Sequence, residues 1–173
     1  MKVAFLDRDG VINKEVNYLY KIKDFQYTEK CVEALLCLQN HGFKLIVITN
    51  QAGIARGYYN FEQYQELTDW YVKDLAKYGV EILDVYHCPH HLQGVVEGLS
   101  IDCECRKPKA GMFIEAINKY NINTQESIMV GDKLSDIQAA LSIGVSSAFL
   151  VEGEVKDTSY KIYKNLFHLS KSL

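Results

Sequence analysis

VAFLDRDGVIN, residues 3–13, joins an apolar run to an acidic turn. The run has the length of a buried strand, and it stops at Asp7-Arg8-Asp9-Gly10, expected to be an exposed, glycine-terminated turn. Extended backbone alternates its side chains, so Asp7 and Asp9 can point to one side. Two carboxylates that close repel each other unless a cation or a shared proton lies between them. A bound divalent metal is the economical explanation. Oxygen ligands at a strand end suit magnesium, which keeps several waters and often a substrate phosphate in its shell. A solvated acidic turn accounts for Asp-x-Asp equally well, and the rest of the chain has to decide between the two.

With 173 residues, the chain fits one domain, residues 1–173, long enough to bury a full core. It is 48% hydrophobic and 24% charged, an ordinary globular composition. A net charge of -3 gives no broad basic field, so nucleic acid is an awkward partner, whereas a small anion gathered by local cations is not. No apolar run approaches the roughly 20 residues that cross a bilayer, and the amino terminus lacks the parts of a signal peptide. A soluble, cytoplasmic protein without a membrane partner is expected. Five cysteines in that compartment suggest thiols or metal ligands rather than disulfides. A monomer is expected, because no sustained exposed apolar patch is evident.

Residues 15–27 have no clear period and are expected as a loop over the first strand's end. Residues 29–40 carry a helical stripe (Val32, Leu35, Leu36, Leu38) stopped by His41-Gly42, with Cys31 and Cys37 as core thiols. KLIVIT, residues 44–49, reads as a strand buried on both faces, ending in Thr49-Asn50-Gln51. Gly53 and Gly57 bracket a tight loop, and residues 61–78 form a long helix with Tyr64, Leu67, Tyr71 and Leu75 on one side. Residues 81–87 are a strand, 88–108 irregular, and 111–120 a helix with Met112, Phe113, Ala116 and Ile117 inward. A short strand over 127–130 ends at Gly131-Asp132-Lys133, before a helix over 135–142 capped by Ser135 or Asp136. A fifth strand covers 147–151, and a short helix lies around 161–169.

Strands alternating with helices imply an α/β, doubly wound, mainly parallel sheet covered on both faces. Ligands of such sheets bind beyond the carboxyl ends of the strands. Asp7, Asp9, Thr49, Asn50 and Asp132 all stand where a strand is expected to end, so they should share one crevice. With Arg106, Lys107 and Lys133 they combine acids for a metal with donors and cations for an anion, the components of a phosphoryl-transfer site.

DRDGVIN, TNQAGIARG, CRKP and GDKLSD resemble the motifs of the haloacid-dehalogenase phosphatases. The CPHH…CECRKP segment is similar, more narrowly, to the heptose 1,7-bisphosphate phosphatase subgroup, relatives of the histidinol-phosphatases. The resemblance spans about residues 3–150. It implies Asp7 as the nucleophile of an aspartyl-phosphate and Asp9 as general acid, then base. It implies magnesium on Asp7, the Asp9 carbonyl and Asp132, with Thr49 and Lys107 on the phosphoryl group. Arg106 would recognise the substrate by gripping a second phosphate or sugar oxygens. Glu15, Val16, Asn17, Tyr18, Asn50, Gln51, Ala52 and Lys133 would shape the substrate pocket. Val11 and Ala52 depart from residues frequent in relatives, Thr and Ser, and Ala52 loses one possible substrate hydrogen bond. Asp136 either orients the lysines or only occupies a helix's first turn.

Cys88-x-His90 and Cys103-x-Cys105 bring three thiols and an imidazole to the two ends of one irregular loop, residues 88–105. Three sulfurs and one nitrogen make a closed tetrahedral zinc set, structural in type. The resemblance selects His90 over His87 and His91. The loop has few apolar anchors (Leu92, Val95, Val96, Leu99, Ile101) to offset its ordering entropy, whereas structural zinc supplies on the order of 10 kcal/mol. Zinc would act on catalysis only by fixing Arg106 and Lys107.

The resemblance implies a magnesium-dependent phosphatase for a small sugar bisphosphate, removing the 7-phosphate of heptose 1,7-bisphosphate in the making of nucleotide-activated heptose for surface polysaccharides. No large cap domain fits between the motifs. A histidinol-phosphatase is the rival enzyme; it would want one more acidic pocket, whereas Arg106 favours a bisphosphate. A receiver-type signalling module also uses acids, a Thr and a Lys, but Asp9 would hasten loss of its phosphoryl group. A nucleic-acid 3'-phosphatase lacks support from charge.

Overall fold

A computed structural model describes residues 1–153, 155 and 159–173. Six strands form one sheet in the order β3-β2-β1-β4-β5-β6. They are β1 (Val3–Leu6), β2 (Lys44–Asn50), β3 (Ile82–Cys88), β4 (Ile128–Gly131), β5 (Ser147–Val151) and β6 (Ile162–Tyr163). Every neighbouring pair is parallel. The helices are α1 (Cys31–Asn40), α2 (Ala52–Ala55), α3 (Phe61–Lys77), α4 (Gly111–Tyr120), α5 (Leu134–Ser142) and α6 (Leu166–Ser170).

The period of two along each strand sorts the core into two layers. Ala4, Leu6, Leu45 and Val47 pack with α1, α3 and α6 through Leu35, Leu38, Leu67, Tyr71 and Leu166. Val3, Phe5, Ile46 and Ile48 turn to the other face and meet Met112, Phe113 and Ala116 of α4 and Ala139 and Ala140 of α5. Every residue of β1 is buried because that strand has sheet on both sides and helices on both faces. The chain steps outward from β1 to β2 to β3, crosses back, and steps outward from β4 on the other side. The order therefore reverses between β1 and β4, where a crevice opens at the carboxyl ends. Among the described residues no cap domain is inserted between the motifs.

Local sequence explains the main boundaries. Asn60 caps α3 by accepting the Gln63 N–H, while Gln63 Oε1 accepts the Asn60 N–H. The stripe Tyr64, Leu67, Tyr71 and Leu75 is buried as its spacing requires.

Several expectations are corrected. The turn after β1 is not exposed: Asp7 is buried and Arg8 wholly so. The loop bracketed by Gly53 and Gly57 contains the single turn of α2. Helix α1 begins at Cys31 rather than Glu29, and Cys37 is half-buried, its Sγ near the Ser170 carbonyl. Lys133, not Ser135 or Asp136, holds the N-cap position of α5; Asp136 lies three residues inside and accepts the Lys133 N–H at 3.1 Å. The carboxyl-terminal segment opens with β6, and its helix is shifted to Leu166–Ser170, behind the Asn165 cap. Ile162 and Tyr163 alternate beside the open edge of β5, and that pairing overrides the weak helical period.

Candidate active site

Asp7 is the first residue past β1, fixed because its N–H donates to the Val130 carbonyl of β4 at 2.9 Å. The Arg8 carbonyl then collects the N–H groups of Ile12 and Asn13 at 2.9 and 3.2 Å, curling residues 7–13 into a tight loop. Gly10 sits at φ +85, and a Cβ there would lie 2.4 Å from Asp132 Oδ2. Only a glycine lets this loop approach the end of β4 so closely.

Arg8 is 1% exposed and lies against the cavity beside Asp9. Its Nη2 donates to both Asp9 oxygens at 2.9 Å and to the Leu19 carbonyl at 3.2 Å. Asp9 also accepts from Asn13 Nδ2 at 3.0 Å and from Gln51 Nε2 at 3.1 Å. Gln51 is itself held by the Tyr59 hydroxyl on its Oε1 and by Thr49 Oγ1, 2.9 Å from its Nε2. Arg8, Asn13 and Tyr59 were not singled out in the sequence. For Arg8 a signal existed: a cation between two acids on a buried segment has to find a carboxylate.

Lys107 reaches the crevice from the loop after β3. Its Nζ lies 3.0 Å from Asp7 Oδ1, 2.6 Å from Asp136 Oδ1 and 2.6 Å from the Ile48 carbonyl. Asn50 places this lysine by a two-way amide pairing, its Nδ2 donating to the Lys107 carbonyl and its Oδ1 accepting the Lys107 N–H, both at 3.1 Å. Burial works against the ammonium, but Asp136 and Asp7 outweigh it and hold the Lys107 pKa above its ordinary value. Asp136 thus both orients Lys107 and occupies the first turn of α5. A Cβ on Gly131 would lie 2.2 Å from Asp136 Oδ2, so the small residue is needed for that carboxylate to stand where it does.

Asp7, Asp132 and Asp136 offer carboxylate oxygens all within 4.8 Å of one another. Burial, and then the neighbouring acids Asp136 and Asp9, push Asp7 up to about 6 despite Lys107. Burial and Asp7 push Asp132 up to about 8. Among the described residues, Asp132 Oδ1 is buried with no hydrogen-bond partner. A crowded carboxylate cluster with an orphaned oxygen suits a hard divalent cation, which would satisfy that oxygen and relieve the repulsion.

A cavity of about 460 Å³ opens over these groups. Asp7, Asp9 and Lys107 form part of its floor; Glu15, Asn17, Tyr18 and Lys133 line one side, and Asn50, Gln51, Ala52 and Arg106 also border it. Thr49 and Asp132 are buried beside the floor. Val16 is the exception among the expected pocket residues: it is exposed and outside the cavity lining. Arg56, Tyr59 and His91 line the cavity without having been assigned to it from sequence.

The second cluster lies between residues that line the cavity, since His91 follows His90 and Arg106 follows Cys105. Cys88, His90, Cys103 and Cys105 bring their ligand atoms within 4.8 Å of one another, and His90 is the histidine that joins them. Cys103 Sγ is 3.5 Å from Cys88 Sγ and 3.4 Å from Cys105 Sγ, and His90 Nδ1 is 3.3 Å from Cys105 Sγ. All five cysteines are free. Three sulfurs and a nitrogen at the corners of a small tetrahedron fit a soft-to-borderline metal with no position left for water. Leu92 and Val95 are 68% and 78% exposed, so the loop has few apolar contacts to hold it otherwise.

The fold, crevice and acid–lysine arrangement define a Rossmann-like phosphoryl-transfer hydrolase. A family model described as HAD-hydrolase-like matches residues 104–166. Across 99% of this chain and 96% of the relative, the sequence is 54% identical to a D-glycero-alpha-D-manno-heptose-1,7-bisphosphate 7-phosphatase of Photorhabdus laumondii. It is 48% identical to a D-glycero-beta-D-manno-heptose-1,7-bisphosphate 7-phosphatase of Haemophilus ducreyi, over 87% of this chain and 82% of that one. A D,D-heptose 1,7-bisphosphate phosphatase from B. bronchiseptica, solved with magnesium and phosphate, superposes with a TM-score of 0.83 at 27% identity, covering 99% of this chain and 97% of that one. The chain belongs to the haloacid-dehalogenase-like phosphoric monoester hydrolases and, within them, to the family of the heptose 1,7-bisphosphate 7-phosphatases.

Proposed function

We propose that this protein, acting as a single domain of residues 1–173, hydrolyses the 7-phosphate of D-glycero-α-D-manno-heptose 1,7-bisphosphate. The α anomer is favoured by a comparison within one organism. Photorhabdus laumondii has an enzyme for each anomer, and the chain is 54% identical to the α enzyme over 99% of its length but 42% identical to the β enzyme over 86%. The observation that carries the mechanism is the buried Asp7–Lys107–Asp136 constellation facing the Asp9 carboxylate.

In this mechanism an Asp7 oxygen attacks phosphorus, and the P–O bond to the sugar breaks. The departing alkoxide takes a proton from Asp9. Water then attacks phosphorus, Asp9 takes back a proton, and phosphate leaves with Asp7 restored. Gln51, Asn13 and Arg8 hold Asp9 in place. All three N–H bonds of Lys107 have acceptors in the fold, so it exchanges one to contact the phosphoryl group. As Asp7 is esterified its charge moves onto the phosphoryl oxygens, and the Asp7 contact is the one to exchange. Thr49 donates its hydroxyl to the same group. Magnesium held by Asp7, the Asp9 carbonyl and Asp132 would supply neutralisation of phosphoryl charge. Zinc on Cys88, His90, Cys103 and Cys105 would be structural, keeping Arg106 and Lys107 in register. Free thiols and a small anionic substrate support the cytoplasm as its place, as a monomer without nucleic-acid or membrane partners; no described helix is long and apolar enough to cross a membrane.

The test is magnesium-dependent phosphate release from both heptose 1,7-bisphosphate anomers and from histidinol phosphate, with Asp7→Asn as control. Preference for the α anomer that disappears in the control is expected. Preference for histidinol phosphate would overturn the substrate while keeping the chemistry, and no turnover at all would overturn both.

A further inference from the structure

Arg56, His91 and Arg106 line the cavity, Arg56 against His91 and Arg106 against the His90 carbonyl. The backbone N–H of Gln93 donates to His91 Nδ1 at 3.0 Å, so that nitrogen is an acceptor and the ring's proton is on Nε2. Nε2 lies 3.3 Å from Arg56 Nη2, which has only N–H bonds to offer. Two donors are thus aimed at each other, and neither can satisfy the other. Among the described residues Arg56 Nε is buried without a partner, and the other side-chain contact of Arg56 is a long one, 3.5 Å, from Nη2 to Gln93 Oε1. Arg106 has a comparably long contact, 3.4 Å, to the His90 carbonyl. Arg8 differs in having a carboxylate partner: its Nη2 meets both Asp9 oxygens at 2.9 Å, although its Nη1 is buried without a partner among the described residues. Donors that converge without an acceptor in a half-buried cavity wall are complementary to an anion with several oxygens.

We propose that Arg56 and His91, together with Arg106, form a subsite for the phosphate that is not hydrolysed, bridging the Arg56–His91 gap through one phosphate oxygen. This rests on the bisphosphatase reading above and adds two residues that the sequence motifs did not assign. The subsite sits on the loop that carries the thiol cluster: the Ala55 carbonyl, next to Arg56, accepts the N–H groups of Val95 and Val96 at 2.7 and 3.0 Å. Loop order and subsite geometry are therefore coupled.

The test compares heptose 1,7-bisphosphate with heptose 7-phosphate as substrates for the unaltered protein, Arg56→Gln and His91→Asn. The expected result is a fall in kcat/KM of about 100-fold on the bisphosphate for Arg56→Gln and about 10-fold for His91→Asn, chiefly through KM. On the monophosphate both variants should stay within about threefold of the parent, which also controls for folding. An equal loss on both substrates, or an unaltered protein with no preference for the bisphosphate, overturns the subsite and leaves the phosphatase reading standing. An unaltered protein inert on both substrates overturns that reading and the subsite with it.

Discussion

Lys107 and Asp132 are opposite cases of a buried charge, and each makes a residue-scale prediction. Lys107 is paired, with two carboxylates and a carbonyl on one ammonium. Lys107→Ala leaves Asp7 and Asp136 facing each other without a cation. It should cost roughly 3–5 kcal/mol in urea unfolding as well as activity. Asp132 has a buried Oδ1 with no hydrogen-bond partner among the described residues, and its effect runs the other way with pH. An unfolded aspartate titrates near 3.9, whereas folded, metal-free Asp132 titrates at about 8. Between those values the folded state holds more protons than the unfolded state. The stability contributed by the protonated form is full below about pH 4 and is lost as pH rises through about 8. In chelator, Asp132→Asn should therefore gain stability relative to the parent as pH rises from about 5 to about 8; a flat difference in urea midpoints would exclude a raised pKa. Asp7 and Asp132 were legible from their places beside strand ends, and Lys107 from the CRKP resemblance. Arg8 and Tyr59 were not, because their pairing with Asp9 and Gln51 at the cavity wall is created only by folding.

Two elements set the site's geometry. The junction of β4 and α5 brings Asp136 under Lys107, and Gly131 is the hinge of that approach. Gly131→Ala must push the first turn of α5 away, since its Cβ would meet Asp136 Cβ at 2.3 Å and Oδ2 at 2.2 Å. A loss of about 1–3 kcal/mol is expected from such overpacking, with a drop in kcat larger than any change in KM. The second element is the loop of residues 88–108. Leu92 and Val95 are exposed, so the loop has few apolar contacts of its own, and the proposed role of the thiol cluster is to order it. Cys103→Ser should raise proteolytic cleavage within the loop and lower kcat/KM, while far-UV dichroism stays near the parent's; full activity in a demonstrably zinc-free sample would contradict the positioning role. At this scale the long periodic elements, α3 and β2, were legible in the sequence. The short ones, α2 and β6, were not: one helical turn or two paired residues leave no period to read, and tertiary packing decides them.

For the molecule as a whole, the reversal of strand order between β1 and β4 turns scattered motifs into one site. Asp7 follows β1 and Asp132 follows its neighbour β4, so segments more than a hundred residues apart in sequence meet beside a single carboxylate cluster. The doubly wound sheet and this convergence follow from alternating apolar runs and the polar residues after them. The anion-binding side of the cavity does not, since Arg56 and His91 acquire their meaning only from the donor-to-donor contact that folding creates. Turnover should require a divalent cation: chelated protein is expected to lose phosphate release and to regain it with added magnesium. The most direct measurement follows the products of heptose 1,7-bisphosphate by phosphorus NMR with intact protein and with Asp7→Asn. The site described here predicts loss of the 7-phosphate signal with the anomeric phosphate retained, and no reaction in the variant. Release of the anomeric phosphate, or undiminished turnover by Asp7→Asn, would contradict it.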